Sequence, residues 1–184
     1  MRAFSIYTLG CKVNQYETQA MRELFAEQGY NIVDEKEADI YVINTCTVTH
    51  TTDQKARQII RKIDRQNPNA FIIVTGCYAN REPKTISQID GVDLVLPNCE
   101  KSRIVDYLKN DDLINAEVES ERDTRLDFHI SRFSEQTRAF IKIQDGCDAH
   151  CSYCIIPRAR GRSRSMAPKT VLELLRNIGS SGYK

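Results

Sequence analysis

Seven cysteines are the residues of this chain with the most chemistry to offer. Three of them lie in one short stretch, Gly146-Cys147-Asp148-Ala149-His150-Cys151-Ser152-Tyr153-Cys154, in the spacing C-x3-C-x2-C. Three thiolates so close in sequence can wrap one small metal centre. A tetrahedral zinc site takes four protein ligands, and no fourth cysteine follows at the distance a zinc finger uses. His150 is a candidate fourth ligand, but it adjoins Cys151, where a side chain tends to point elsewhere. A 4Fe–4S cube also has four corners and is held by cysteine thiolates. Three cysteines would leave one iron open to a substrate or cofactor. The cluster reading is preferred to a zinc knuckle or to scattered structural cysteines, mainly because of what the rest of the chain contains.

Cys11, Cys46 and Cys77 are far apart in sequence, so the elements around them decide whether they can meet. Residues 4–9 read as a strand ending at Gly10-Cys11, residues 39–43 as a strand running into Asn44-Thr45-Cys46, and residues 71–74 as a strand leading into Thr75-Gly76-Cys77. Between them the pattern is helical. Residues 14–28 place Ala20, Leu24 and Phe25 on one face, with Gly29 where a C-cap belongs. Residues 53–66 turn Ala56, Ile59, Ile60 and Ile63 to one side, and Asn67-Pro68-Asn69 ends that helix. A short helix is expected after Glu82-Pro83, a further strand over 92–96 and a helix over 100–109. Apolar strands alternating with helices imply a parallel sheet covered by helices. In such sheets ligands bind outside the carboxyl ends of the strands, where each of these three cysteines falls. Free cysteines are often simply buried. Three equivalent placements, two of them after a glycine, favour a second three-thiolate centre. Cys99 follows Leu96-Pro97-Asn98 in a turn and is expected to be no ligand.

The fold class expected is α/β: a parallel sheet flanked by helices, then the first βα unit of a second domain. The divisions expected are a first domain over 1–113, a connector over 114–134 and a second unit over 135–184. The connector is rich in Asp, Glu and Arg; Val118, Leu126, Phe128 and Ile130 are its candidates for one or two short strands. The second unit opens with a strand over 139–143, continues through the cysteine loop, and closes with a helix over 168–178. That helix carries Val171, Leu174, Leu175 and Ile178 on one face, with Gly179 or Gly182 at its end.

Bulk composition narrows the class. A hydrophobic content of 41% with 28% charged residues fits a water-soluble globular chain rather than a disordered one. A net charge of +1 gives no overall attraction to nucleic acid, so any such contact needs a local patch. Two patches are candidates: Arg158, Arg160, Arg162 and Arg164 after the cysteine loop, and Lys55, Arg57, Arg61, Lys62 and Arg65 on the helix after Cys46. The second reads more simply as a solvated helix face. His129 and His150 have no evident partner. The odd cysteine count leaves a thiol unpaired under any intramolecular disulfide scheme. Ligation in a reducing cytoplasm therefore suits the chain better than a secreted disulfide scaffold. No apolar run is long enough to cross a membrane. Leu9-Gly10-Cys11 lacks the apolar stretch of a lipoprotein signal.

With both cysteine sets placed, the chain resembles the methylthiotransferase family of radical S-adenosylmethionine (SAM) enzymes. Thr8-Leu9-Gly10-Cys11-Lys12-Val13-Asn14-Gln15-Tyr16-Glu17, Val42-Ile43-Asn44-Thr45-Cys46-Thr47-Val48 and Val74-Thr75-Gly76-Cys77-Tyr78 are similar to its amino-terminal domain. Residues 146–161 are similar to its radical SAM entry loop. The Lys-Val-Asn-Gln-Tyr-Glu run most resembles the branch acting on N6-threonylcarbamoyladenosine at position 37 of tRNA. Other branches act on isopentenyladenosine in tRNA or on an aspartate of a ribosomal protein. The resemblance implies that Cys147, Cys151 and Cys154 hold the 4Fe–4S cluster that cleaves SAM to a 5′-deoxyadenosyl radical, with Tyr153 against SAM. It implies that Cys11, Cys46 and Cys77 hold an auxiliary 4Fe–4S cluster carrying the sulfur. Sulfur would enter at C2 of the adenine, with the methyl group from a second SAM. The partners implied are tRNA and an electron donor that reduces the cluster, in the cytoplasm. Arg158 stands where many relatives are expected to carry an aromatic. Family members continue through a partial (β/α) barrel and an RNA-binding domain. The chain is therefore expected to be a fragment that does not methylthiolate alone, with its second unit mobile or packed non-natively on the first. A ribosomal-protein methylthiotransferase and a non-catalytic iron–sulfur module are the alternatives.

Overall fold

The computed structural model describes residues 2–33, 38–110, 126–127, 130 and 138–180. Strands β1 (Ala3–Thr8), β2 (Asn31–Ile32), β3 (Ile40–Thr45), β4 (Phe71–Gly76) and β5 (Leu94–Leu96) form a parallel sheet in the order β2-β1-β3-β4-β5. Every residue of the central strand β3 is buried, which is why it reads as an almost unbroken apolar run. Its side chains alternate between two cores. Ile40 and Val42 join Phe4, Ile73 and Leu94 beneath Tyr16, Met21 and Phe25 of helix α1 (Lys12–Glu27). Tyr41 and Ile43 join Ile72 and Val74 against Ala56, Ile60 and Ile63 of α2 (His50–Gln66), with Tyr78 of α3 (Cys77–Arg81) and Ile86 of α4 (Pro83–Ser87). Phe25 is fully buried and stacks on Phe4 at 4.4 Å, a contact that stabilises by about 1.5–3 kcal/mol through burial alone. Thr49 caps α2 by accepting a bond from the Thr52 amide.

The fold class, a parallel sheet flanked by helices, is the one the sequence implies. Several elements differ in detail. The edge strand β2 is only two residues long and carries no apolar alternation to reveal it. The expected helix over 100–109 is a 3-10 turn (Asn98–Arg103) followed by α5 (Ile104–Lys109), and α3 begins directly at Cys77.

The strand expected over 139–143 does not form, because no described strand pairs with it. Ala139, Phe140 and Ile141 pack instead on the α1 side of the first core. The ladder begins just after them, where β6 (Gln144–Asp145) pairs antiparallel with β7 (Arg164–Ser165). Between these strands lie the cysteine loop and α6 (Ile156–Arg160). Helix α7 (Pro168–Ser180) runs through Gly179. It buries Leu174 and Ile178, while Leu175, expected on the same face, is half exposed. Ile178 and Ile130 both reach the first core. Leu126 and Ile130 are not in strands; Val118, Phe128, His129 and Gly182 lie outside the described residues.

Candidate metal centre

The register of the parallel sheet brings Cys11, Cys46 and Cys77 to one edge. Thr8 pairs with Asn44 and Thr45 with Gly76, so the chain leaves β1, β3 and β4 at one level. The Leu9 amide continues the ladder to the Asn44 carbonyl at 2.9 Å. Asn14 Nδ2 then ties the turn together, donating to the Leu9 carbonyl at 2.7 Å and the Thr45 carbonyl at 2.9 Å. Two glycines make the approach possible. Gly10 (φ +100°) lies so close to Cys46 that a Cβ there would stand 2.6 Å from its Sγ. A Cβ at Gly76 (φ +99°) would meet the Thr45 amide at 2.5 Å.

Cys46 and Cys77 are buried and Cys11 is exposed, and all three are free thiols. Burial pushes the Cys77 thiol up, against the pull of Arg160 and Lys101. Three thiols along one sheet edge suit, in donor chemistry, a thiolate-held cluster whose ligands bind separate irons. Among the described residues no three His, Cys, Asp or Glu side chains converge as ligands of a single metal ion.

The second cysteine set sits on a loop with pinned ends. Beyond the β6–β7 ladder, the Met166 amide bonds to the Ile143 carbonyl at 2.8 Å and the Cys147 amide to the Gly161 carbonyl at 3.1 Å. The Cys154 amide turns back to the Cys151 carbonyl at 3.1 Å. Cys151, Tyr153 and Cys154 line an open pocket of about 370 Å³ together with His150, Pro157 and Arg158. Cys147 lies outside that lining. Tyr153 is 89% exposed, its ring standing out at the mouth.

The two sets are joined by a buried charge network that sequence reasoning missed. Glu17 of α1 accepts from Lys101 Nζ at 2.5 Å, Lys142 Nζ at 2.7 Å and Arg160 Nη1 at 2.9 Å. Asp145 accepts from Lys142 at 2.6 Å and Arg160 at 3.0 Å. Arg160 Nη2 donates to Asn14 Oδ1 at 2.6 Å, and Lys101 to Asn44 Oδ1 at 3.0 Å. Asn98 Nδ2 adds a bond to the Ala159 carbonyl at 3.2 Å. Burial alone would raise the Glu17 carboxyl, but Lys101, Arg160 and Lys142 more than reverse this and hold it well below the usual range. Lys101 is nonetheless lowered, since burial outweighs a carboxylate it shares with two other cations.

Arg160 therefore does not belong to the expected basic surface patch; Arg158, Arg162 and Arg164 are the exposed members. On α2 the solvated-face reading holds for Lys55, Arg61, Lys62 and Arg65, while Arg57 is half-buried and donates to the Tyr78 hydroxyl at 2.6 Å. The available signal for the network was Glu17 itself. It lies one and two turns before Met21 and Leu24, on the apolar stripe of α1, where a carboxylate needs a partner.

The fold and its thiols define an α/β protein of Rossmann-like layout, with its reactive groups gathered at the carboxyl ends of parallel strands. Residues 3–97 match the model of the family described as "Uncharacterized protein family UPF0004", and the chain belongs to that family. Its relatives are methylthiotransferases, as the cysteine motifs imply. It is 43% identical to the threonylcarbamoyladenosine tRNA methylthiotransferase MtaB of Bacillus subtilis, over 100% of this chain and 42% of that protein. It is 37% identical to the MtaB of Aquifex aeolicus, over 96% of this chain and 45% of the relative. It is 30% identical to the tRNA-2-methylthio-N(6)-dimethylallyladenosine synthase of Clostridium novyi, over 100% of this chain and 43% of the relative. The chain thus spans less than half the length of these relatives. No helix among the described residues is long and apolar enough to cross a membrane.

Proposed function

We propose that this chain provides both metal-binding regions of a radical SAM methylthiotransferase. Its substrate would be N6-threonylcarbamoyladenosine in tRNA, methylthiolated at C2 of the adenine in the cytoplasm. The observation that carries the reading is the strand register, which lets the chain leave β1, β3 and β4 at one level just before Cys11, Cys46 and Cys77. The greater identity to relatives named for threonylcarbamoyladenosine supports that substrate over dimethylallyladenosine.

In this reading Cys147, Cys151 and Cys154 hold one 4Fe–4S cluster and Cys11, Cys46 and Cys77 the other. A cluster held by the first set would supply, once reduced by an electron donor, the electron for SAM cleavage. The chain's own residues set the stage. Tyr153 offers an exposed ring beside the pocket for SAM to lie against. Gly10 and Gly76 leave room at the second site. Arg158, Arg162 and Arg164 present guanidinium groups suited to tRNA phosphates.

Iron and sulfide analysis of anaerobically reconstituted protein tests the reading first. Two cubes require about eight irons per chain, and replacing either cysteine set by alanine should leave about four. Zinc without sulfide would overturn it. Mass analysis of tRNA nucleosides and ribosomal peptides, from cells with and without the gene, then tests the substrate. A methylthio group on ribosomal peptide would assign the protein to the other branch. Clusters without SAM cleavage would leave a non-catalytic iron–sulfur module.

A further inference from the structure

Asn14 has no task in the chemistry above, yet it is fully buried and its carboxamide is bonded at both ends. A carboxamide carries two N–H donors on its nitrogen and an acceptor oxygen. Both donors go to the turns beyond the sheet: Nδ2 bonds the Leu9 carbonyl at 2.7 Å and the Thr45 carbonyl at 2.9 Å. Those carbonyls stand two residues before Cys11 and one before Cys46. The oxygen accepts from Arg160 Nη2 at 2.6 Å. The reversed amide would set oxygen against two carbonyls and nitrogen against a guanidinium, so its orientation is fixed. Arg160 in turn sits at the closure of the cysteine loop. It ends α6, which begins two residues after Cys154, and the next residue, Gly161, accepts from the Cys147 amide at 3.1 Å. The closure is tight, since a Cβ at Gly146 would stand 2.1 Å from the Arg162 carbonyl oxygen. Two side chains therefore connect the backbone beside Cys11 and Cys46 to the backbone beside Cys147. The guanidinium divides its nitrogens between two jobs. Nη1 meets Glu17 at 2.9 Å and Asp145 at 3.0 Å, whereas Nη2 makes the bond to Asn14 and lies 3.5 Å from Glu17.

We propose that Asn14 is a positioning residue that couples the two cysteine sets. Its nitrogen grips the turns before Cys11 and Cys46, its oxygen grips the loop closure through Arg160, and the Cys147–Cys151–Cys154 loop is thereby held at a fixed displacement from Cys11 and Cys46. The use of this coupling rests on the proposed function, whereas the coupling itself is a property of the apo-protein. A reaction that begins at one metal site and ends at the other needs a constant spacing, since a misplacement of about 1 Å can cost about 100-fold in rate. The joint can be cut on either side. A lysine at position 160 keeps the charge for Glu17 and Asp145, but its single nitrogen cannot serve them and also make the separate bond to Asn14. An aspartate at position 14 keeps an acceptor for Arg160 and loses both donors to the Leu9 and Thr45 carbonyls.

The test reads the spacing without any cluster. In the full chain every cysteine except Cys11 and Cys151, the two exposed ones, is changed to alanine, and both carry nitroxide labels. The dipolar coupling between the labels, measured by electron paramagnetic resonance, gives the distribution of their separations. The parent should show one narrow distribution, and a broad one would overturn the proposal. Arg160→Lys should broaden it, while a second label pair on Cys11 and Cys99, both carried by the parallel-sheet unit, stays narrow. An unchanged Cys11–Cys151 distribution in Arg160→Lys, or equal broadening of the two pairs, would overturn the proposal. If Arg160→Lys does not fold, Asn14→Asp decides: the Cys11–Cys151 pair should broaden while a Cys99–Cys151 pair does not, and any other pattern refutes the coupling. Failure of both variants to fold would mark a merely structural role and also overturn it. A wild-type chain that takes up no iron, beside labelled variants that broaden as described, would instead uphold the coupling and defeat the proposed function.

Discussion

Replacing Glu17 by glutamine should be among the most damaging single changes available to this fold. The side chain keeps its shape and loses its charge, so the three cations that it holds at 2.5, 2.7 and 2.9 Å lose a shared carboxylate, and only Lys142 and Arg160 still have Asp145. Removing one partner of a buried ion pair costs about 3–5 kcal/mol. A domain stability of about 5–15 kcal/mol makes that a large fraction of the whole. Lys101→Met should cost less, about 1–3 kcal/mol, because Glu17 keeps Lys142 and Arg160 and only Asn44 Oδ1 is left unpaired. In the Glu17→Gln background the same change removes a stranded cation. The double variant should therefore lose less than the sum, with a coupling of about 0.5–3 kcal/mol. Urea unfolding of the reduced apo-protein, followed by far-ultraviolet circular dichroism, measures all four corners of the cycle. Acid adds a second readout. The folded carboxyl lies well below its ordinary value, so its stabilisation is complete above about pH 4.3 and is lost as pH falls through the folded value. Glu17→Gln should flatten the stability profile in that acid range. A Glu17→Gln loss under about 1 kcal/mol, or strict additivity in the cycle, would refute the view of Glu17 as the hub.

Gly10→Ala should destabilise by about 1–3 kcal/mol and lower iron uptake at the strand-end site, because its Cβ would stand 2.6 Å from Cys46 Sγ at a φ of +100°; normal iron content would contradict this. Cys99→Ala should retain the parent's iron, whereas Cys147→Ala should lose about half; equal losses would make Cys99 a ligand. In the reduced apo-protein, iodoacetamide should modify exposed Cys11 faster than buried Cys77, whose thiol is pushed up by burial. Raising the pH should narrow the gap; equal rates at neutral pH would show that the Cys77 side chain is not enclosed.

The central sheet was legible because β1, β3 and β4 are apolar on both faces and each runs into a cysteine, two of them through a glycine. Local periodicity was enough to place three thiols at one edge. It failed over 139–143, where the same apolar run forms no described strand and instead packs Ala139, Phe140 and Ile141, partly buried, against the first core. Composition reports burial, and pairing depends on which strands lie alongside. It also failed for the charge network, whose bonds span 84, 125 and 143 positions from Glu17. Each charged member other than Glu17 looks by itself like a surface residue. Arg160 in particular lies among exposed arginines and is told apart only by the packing of α6 on α3.

The pinned ends of the cysteine loop separate what folding requires from what chemistry requires. Because Asp145 is clamped to Arg164 and the Met166 amide to the Ile143 carbonyl, the chain between them is a closed ring whose main entropic cost lies in closure. That cost grows only with the logarithm of contour length, by about 0.6 kcal/mol for each doubling. One extra residue in the exposed stretch between Cys147 and Cys151 would lengthen the ring by a small fraction and leave thermal unfolding almost unchanged. The intervals between the three thiols are therefore nearly invisible to the stability of the fold. A one-residue insertion that abolished iron binding while leaving the unfolding midpoint in place would identify ligand geometry as what fixes their spacing.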